Sequence, residues 1–265
     1  MTSTKALGVI ASIAVVGIGS IVTIRWSDDQ RAARAPEARR AKPAAGSTLP
    51  TTAGPAPSSR TTPTEPAPEP VAVQGGLMAP VFYRVPTSQP VVFVTIDDGW
   101  VRDPRVVQLL RVTRIPTTLF LIDRAARDAP GYFGSLRAAG ATVEDHTVDH
   151  PRLPTMAYGA QQREICQAAR DLGAEFGTIP KLLRPPDGLF NASTQQAAKA
   201  CGMVAMVEWT ATMNDGRLSV AGGRLRPGDV VLLHFRSDLY TNLQILLQRV
   251  SAAGLTVGRL ESYVA

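Results

Sequence analysis

Two of the three histidines in this 265-residue chain stand four positions apart, His146 and His150 in the stretch VEDHTVDHP. That spacing can bring both imidazoles to one side of a single turn, and Pro151 biases His150 away from continuing an α-helix. Two imidazoles and one carboxylate make up a catalytic zinc set in which a fourth position stays open for water. Taken alone, a His-x-x-x-His pair reads as an accidental surface pair. The stretch TIDDG, residues 95–99, changes that balance. One of its two adjacent aspartates, Asp97 and Asp98, can bind a metal while the other acts as a base.

The elements that must position these side chains begin near Leu77. Short apolar runs, VVFVTI (91–96), TTLFLI (117–122), ATVED (141–145), KLL (181–183), MVAMVEW (203–209), VVLL (230–233) and LTV (255–257), alternate with helical stretches. The candidate helices lie around 104–111, 131–139, 158–173, 194–201 and 239–252. This alternation predicts an α/β fold with a parallel sheet buried on both faces, and a barrel and an open sheet fit it equally. In such folds the C-terminal ends of the strands converge on the face that carries the site. Asp97 and Asp98 follow the first run, His146 the third, Arg184 the fourth, and His234 closes VVLL. All three histidines, two aspartates and an arginine are therefore expected to meet in one place.

Five stretches in order, TIDDG (95–99), HTVDHP (146–151), RPPDG (184–188), WTATMNDG (209–216) and VVLLHF (230–235), resemble the motifs of the polysaccharide deacetylase family, the NodB-homology or family 4 carbohydrate esterases. The resemblance covers residues from about 90 to 262, and it rests on the order of the motifs more than on any one of them. It implies a distorted (β/α) barrel, usually of seven parallel strands, that removes N- or O-acetyl groups from sugars with a divalent metal. That metal is commonly Zn2+, with Co2+, Ni2+ or Mn2+ as alternatives. Carried over by residue, Asp98, His146 and His150 would bind the metal, and Asp97 would be the general base, paired with Arg184. The backbone N–H of Asp187 would help hold the oxyanion. His234 would protonate the leaving amine, oriented by Asp215. An Asp-Gly pair such as Asp215-Gly216 is equally good as an ordinary turn. The chain departs from the family where Ile96 stands for a frequent Phe, Asp187 for an aromatic residue and Gly216 for Trp. Trp100, directly after DDG, is a candidate substitute for the missing sugar-stacking surface, or a rim aromatic.

The rest of the chain bears on location. Residues 6–24, ALGVIASIAVVGIGSIVTI, are free of charge between Lys5 and Arg25 and long enough to span a bilayer. We read 1–26 as a single-pass membrane anchor, with a cleaved signal as the alternative. Residues 27–76 form a Pro/Ala/Thr-rich linker, expected to be disordered, and 77–265 the catalytic domain. Eight prolines fall within 43–70, where an extended chain reaches about 90 Å. Basic residues after the apolar stretch outnumber those before it, which by the positive-inside rule favours a cytoplasmic C-terminal part. Cys166 and Cys201, an even count, favour an extracytoplasmic one if they pair, and two buried thiols are the alternative. Residues 1–90 carry nine Lys/Arg against five Asp/Glu, whereas 91–265 carry 19 against 17. The basic character is thus largely N-terminal, and no basic patch interleaved with aromatics points to nucleic acid. Three functions fit: deacetylation of N-acetylhexosamine polymers such as peptidoglycan or chitin-like glycans, O-acetyl esterase action on glycans, and glycan binding without catalysis. A monomer is expected.

Overall fold

A computed structural model describes residues 66–71 and 76–264. In chain order these form β1 (Val81–Phe82), β2 (Val91–Asp98), α1 (Pro104–Thr113), β3 (Thr117–Leu121), α2 (Asp123–Asp128), α3 (Pro130–Ala138), β4 (Ala141–Asp145), α4 (Tyr158–Phe176), β5 (Leu182–Leu183), α5 (Ala192–Ala200), β6 (Ala205–Val207), β7 (Ala211–Asn214), β8 (Arg217–Val220), β9 (Val230–His234), α6 (Leu239–Ala252) and β10 (Thr256–Val257). The expected anchor at 6–24 lies outside the described residues, as does most of the linker. Among the described residues no helix is long and apolar enough to cross a membrane. The linker's last part is not free: Val71 donates its N–H to Tyr263 O at 2.8 Å, and Gln89 Nε2 donates to Ala67 O at 2.7 Å.

Neighbouring strands run β1-β6-β5-β4-β3-β2-β9-β7-β8, with β10 paired to the start of β2. Every pair from β1 through to β7 is parallel, and only β8 is antiparallel, to β7. The continuous parallel ladder thus holds eight strands where the resemblance implied seven. Among the described residues its ends share no ladder, only an isolated bridge from Arg84, just after β1, to Asp229, just before β9, so the sheet curls without closing as a continuous hydrogen-bonded barrel. The chain itself crosses the gap. Glu208 N–H bonds Phe82 O beside β1, and two residues later Thr210 N–H bonds Val230 O beside β9, so Glu208–Thr210 carries β6 directly into β7.

Alternation along β2 explains how the site is aimed. Val92, Val94 and Ile96 pack outward in a cluster with Val106 and Leu110 of α1, Phe133 of α3 and Leu243 and Leu246 of α6. Val91 and Phe93 face inward with Phe120, Val207 and Tyr263. Because successive side chains point to opposite faces, Thr95 and Asp97 continue the inner row. Ile96 therefore belongs to the outer core. On the far flank Cys166 of α4 and Cys201, which caps α5, form a disulfide with a Cα–Cα distance of 4.9 Å.

Candidate metal centre and active site

Two consecutive residues on a regular strand would face opposite ways, yet both aspartates of DDG reach one cavity. The turn is made at Asp98, whose φ of 81° leaves the strand conformation, followed by Gly99 at 121°. Aspartate tolerates the left-handed region better than most side chains. Phe235 N–H bonds Asp97 O at 3.0 Å and Ile122 N–H bonds Asp98 O at 3.0 Å, so β9 and the end of β3 lock this exit.

The histidine pair sits on an irregular loop. Thr147 and His150 both have positive φ, 69° and 58°, so the four-residue spacing works through two left-handed kinks and not through a helical turn. Thr147 N–H bonds Asp145 Oδ1 at 2.7 Å, and His150 N–H bonds Thr147 Oγ1 at 3.1 Å. Glu164 of α4 accepts from the N–H groups of Val148 and Asp149 at 3.1 and 3.0 Å. Asp145, Thr147 and Glu164 hold the loop, and the sequence reading missed all three.

Asp98 Oδ1 lies 3.7 Å from Nε2 of both His146 and His150, and the donor atoms of the three residues lie within 4.8 Å of one another. His146 Nδ1 lies 2.7 Å from Arg184 O. A carbonyl only accepts, so the proton belongs on Nδ1 and Nε2 turns its lone pair towards Asp98. Burial drives the His146 pKa down to about 3, the Asp98 charge opposing, which keeps the ring neutral as a ligand must be. The set fits a divalent cation of the zinc type, two imidazoles and a carboxylate with room beside them.

Arg184 is fully buried and every part of its guanidinium is engaged. Nε donates to Val207 O (2.9 Å), one terminal nitrogen to Thr95 Oγ1 (2.7 Å) and Asp97 Oδ1 (2.8 Å), and the other to Glu208 O (3.1 Å). Its plane lies over Phe120, 4.3 Å from the ring centroid. Asp97 is thereby oriented as expected. Its pKa is nonetheless pushed up, because burial outweighs the charges of Arg184 and His234.

Asp97 pairs in register with His234 across β2 and β9, and both line a cavity of about 160 Å³ with Asp98, His146, His150, Pro185, Asp187, Gly188, Trp209, Leu232 and Arg236. Asp187 enters it from the turn Pro186–Gly188 with φ of 57°. Asp215 does not reach His234. It is the first of two left-handed residues, φ 48° then 72° at Gly216, in the two-residue turn joining β7 to β8, and it is exposed. Its N–H bonds Asp238 Oδ2 at 3.0 Å, while His234 Nδ1 is buried without a hydrogen-bond partner among the described residues. The alternative reading of Asp-Gly as an ordinary turn is the one observed. Trp100 is 51% exposed and does not line the cavity, whereas Trp209 does. Glu208 is a further group that sequence reasoning passed over, since it closes an apolar run. Burial lifts its pKa to about 7, Arg184 opposing and Asp97 adding, and its Oε1 has no partner among the described residues.

Residues 84–206 match the family model described as polysaccharide deacetylase. An uncharacterized protein of Streptomyces coelicolor is 40% identical over 200 residues, covering 73% of this chain and 80% of that one. A chitooligosaccharide deacetylase of Sinorhizobium fredii is 28% identical over 160 residues, covering 57% and 74% respectively. Among solved structures, a family 4 carbohydrate esterase pseudoenzyme of Bacillus anthracis shares the fold with a TM-score of 0.62 at 20% identity, over 70% of this chain and 69% of that one.

Proposed function

The chain belongs to the polysaccharide deacetylase family, and from that premise we propose that it is a metal-dependent hydrolase removing N-acetyl groups from an N-acetylhexosamine polymer. The observation that carries the reading is the convergence of Asp98, His146 and His150 beside an Asp97–Arg184 pair and His234 in one cavity. Asp98, His146 and His150 would hold the cation, which polarises the acetyl carbonyl and activates water. Asp97 takes the proton from the attacking water, and Arg184, itself held by Thr95 Oγ1, fixes the angle at which it does so. As the new C–O bond forms, the backbone N–H of Asp187, a residue that lines the cavity, would stabilise the charge that gathers on the carbonyl oxygen. His234 gives a proton to the nitrogen as the C–N bond breaks, so acetate and a free amine result. The unpartnered Nδ1 of His234 is the observation that favours the second reading, glycan binding without catalysis, because a general acid is ordinarily oriented from behind.

Acetate release measured on N-acetylated and O-acetylated glycans separates the readings. Release from the N-acetylated polymer alone is expected; release from O-acetylated glycan alone replaces the activity with an esterase, and release from neither leaves binding. We place the domain outside the cytoplasmic membrane on an anchor at residues 6–24, a placement that the Cys166–Cys201 disulfide supports. Protease added to intact spheroplasts is expected to remove it.

A further inference from the structure

We propose that Arg236 makes this site selective for glycans that carry a carboxylate next to the acetamide. The inference rests on the deacetylase reading above and adds the charge of its substrate.

Arg236 is held in place by its backbone. Phe235, buried against Phe133 and bonded to Asp97 O, precedes it, and Arg236 N–H returns to His234 O at 2.8 Å. The side chain is exposed, lines the same cavity as the metal ligands, and makes no hydrogen bond or ion pair among the described residues. Asp238 feels its charge but has Oδ2 occupied by Asp215 N–H and by the Asn242 amide at 2.8 Å. The charge opposite it is Asp187. In the sheet order β5-β4-β3-β2-β9, Asp187 follows β5, the histidines follow β4, the aspartates end β2 and Arg236 follows β9. The cavity is thus negative on one flank of the cation ligands and positive on the other.

Chemistry ties the positive flank to the sugar. The leaving nitrogen must lie by His234, so the ring that bears it lies on the β9 side, within reach of Arg236. A group on the ring carbon next to the acetamide, such as an acidic ether, then meets the guanidinium, whose planar fork matches a carboxylate. A single negative charge suits a cavity that already holds Asp97, Asp98 and Asp187 better than a doubly charged phosphate does.

The test compares wild type, Arg236→Ala and Arg236→Lys on two tetramers of equal length. One is neutral oligo-N-acetylglucosamine; the other alternates N-acetylglucosamine with N-acetylmuramic acid and has no peptide. Wild type is expected to favour the carboxylated tetramer. Arg236→Ala should lower its kcat/KM by about 10- to 100-fold, mainly through KM, the range of one charge-assisted hydrogen-bonded pair. The neutral tetramer should change by less than about twofold, and lysine should restore part of the difference. Equal losses on both tetramers, or no preference in wild type, overturn the proposal. If wild type deacetylates neither, the deacetylase reading fails, and calorimetric binding then decides Arg236. Binding of the carboxylated tetramer weakened about tenfold by Arg236→Ala upholds its role, and unchanged binding refutes it.

Discussion

Under the proposed activity the neighbours Asp97 and Asp98 do different work. Asp98 faces two imidazole nitrogens at 3.7 Å, whereas Asp97 spends one oxygen on Arg184 at 2.8 Å. An amide ligates a divalent cation poorly, so Asp98→Asn is expected to lose bound metal by elemental analysis. Asp97→Asn should retain its metal while losing about two to four orders of magnitude in acetate release, the worth of a positioned base. Equal metal loss in both variants would refute the division of roles. Asp215 supplies a contrasting case. Because Asp215 is exposed, lies outside the cavity lining and makes no bond to His234, Asp215→Asn, which keeps the left-handed preference, should change the deacetylation rate by less than about twofold. A loss of tenfold or more would mean that the side chain swings onto His234 during turnover.

Among the elements, the short turn Pro186–Gly188 is the one most tightly fitted to the site. A β-carbon at Gly188 would stand 2.9 Å from Glu208 Oε2 and 3.0 Å from Trp209, at a φ of 67°. Gly188→Ala is therefore expected to cost about 1–3 kcal/mol in chemical denaturation and to lower kcat/KM as Asp187 and Trp209 shift. Wild-type stability with wild-type rate would show that the turn yields freely. The strands around this turn were legible where chemistry and alternation agreed: VVFVTI became β2, and its inner row leads to Asp97. The β7–β8 hairpin was not, because MNDG reads as a catalytic motif as readily as a turn, and only a neighbouring strand decides between them. β1 has two residues, too few to show any period. That the two histidines and the DDG aspartates would meet was legible from residue type and spacing, and the choice of Asp98 came from the resemblance, but the groups that hold the histidine loop, Arg184 O, Glu164 and Thr147, act through loop geometry that leaves no periodic trace.

At the scale of the molecule, the inner face of the curled sheet is stopped by the C-terminal segment, with Leu260, Tyr263 and Val264 in its core. Here Glu261 accepts from the hydroxyl of Thr118 at 2.7 Å and from that of Thr142, and Glu144 Oε2 accepts the N–H groups of Lys181 and Leu182, both at 2.7 Å. Burial, with the charge of Glu261, raises Glu144 to about 8 against the pull of those two N–H groups. The folded chain thus keeps a proton that the unfolded chain releases near 4.5, so this group's contribution is whole below that pH and is lost as pH climbs to about 8. Glu144→Gln should match wild type at pH 5 and melt about 3–8 °C higher at pH 8. Parallel melting curves would overturn the assignment. The cavity itself, at about 160 Å³, admits an acetamide and a few waters, not a run of sugars. Under the proposed activity a polymer must lie across the outer surface and dip one side group at a time, with none of the described residues enclosing it between events. Each release then frees the chain, and the product is expected to carry isolated amines scattered along its length, not consecutive blocks.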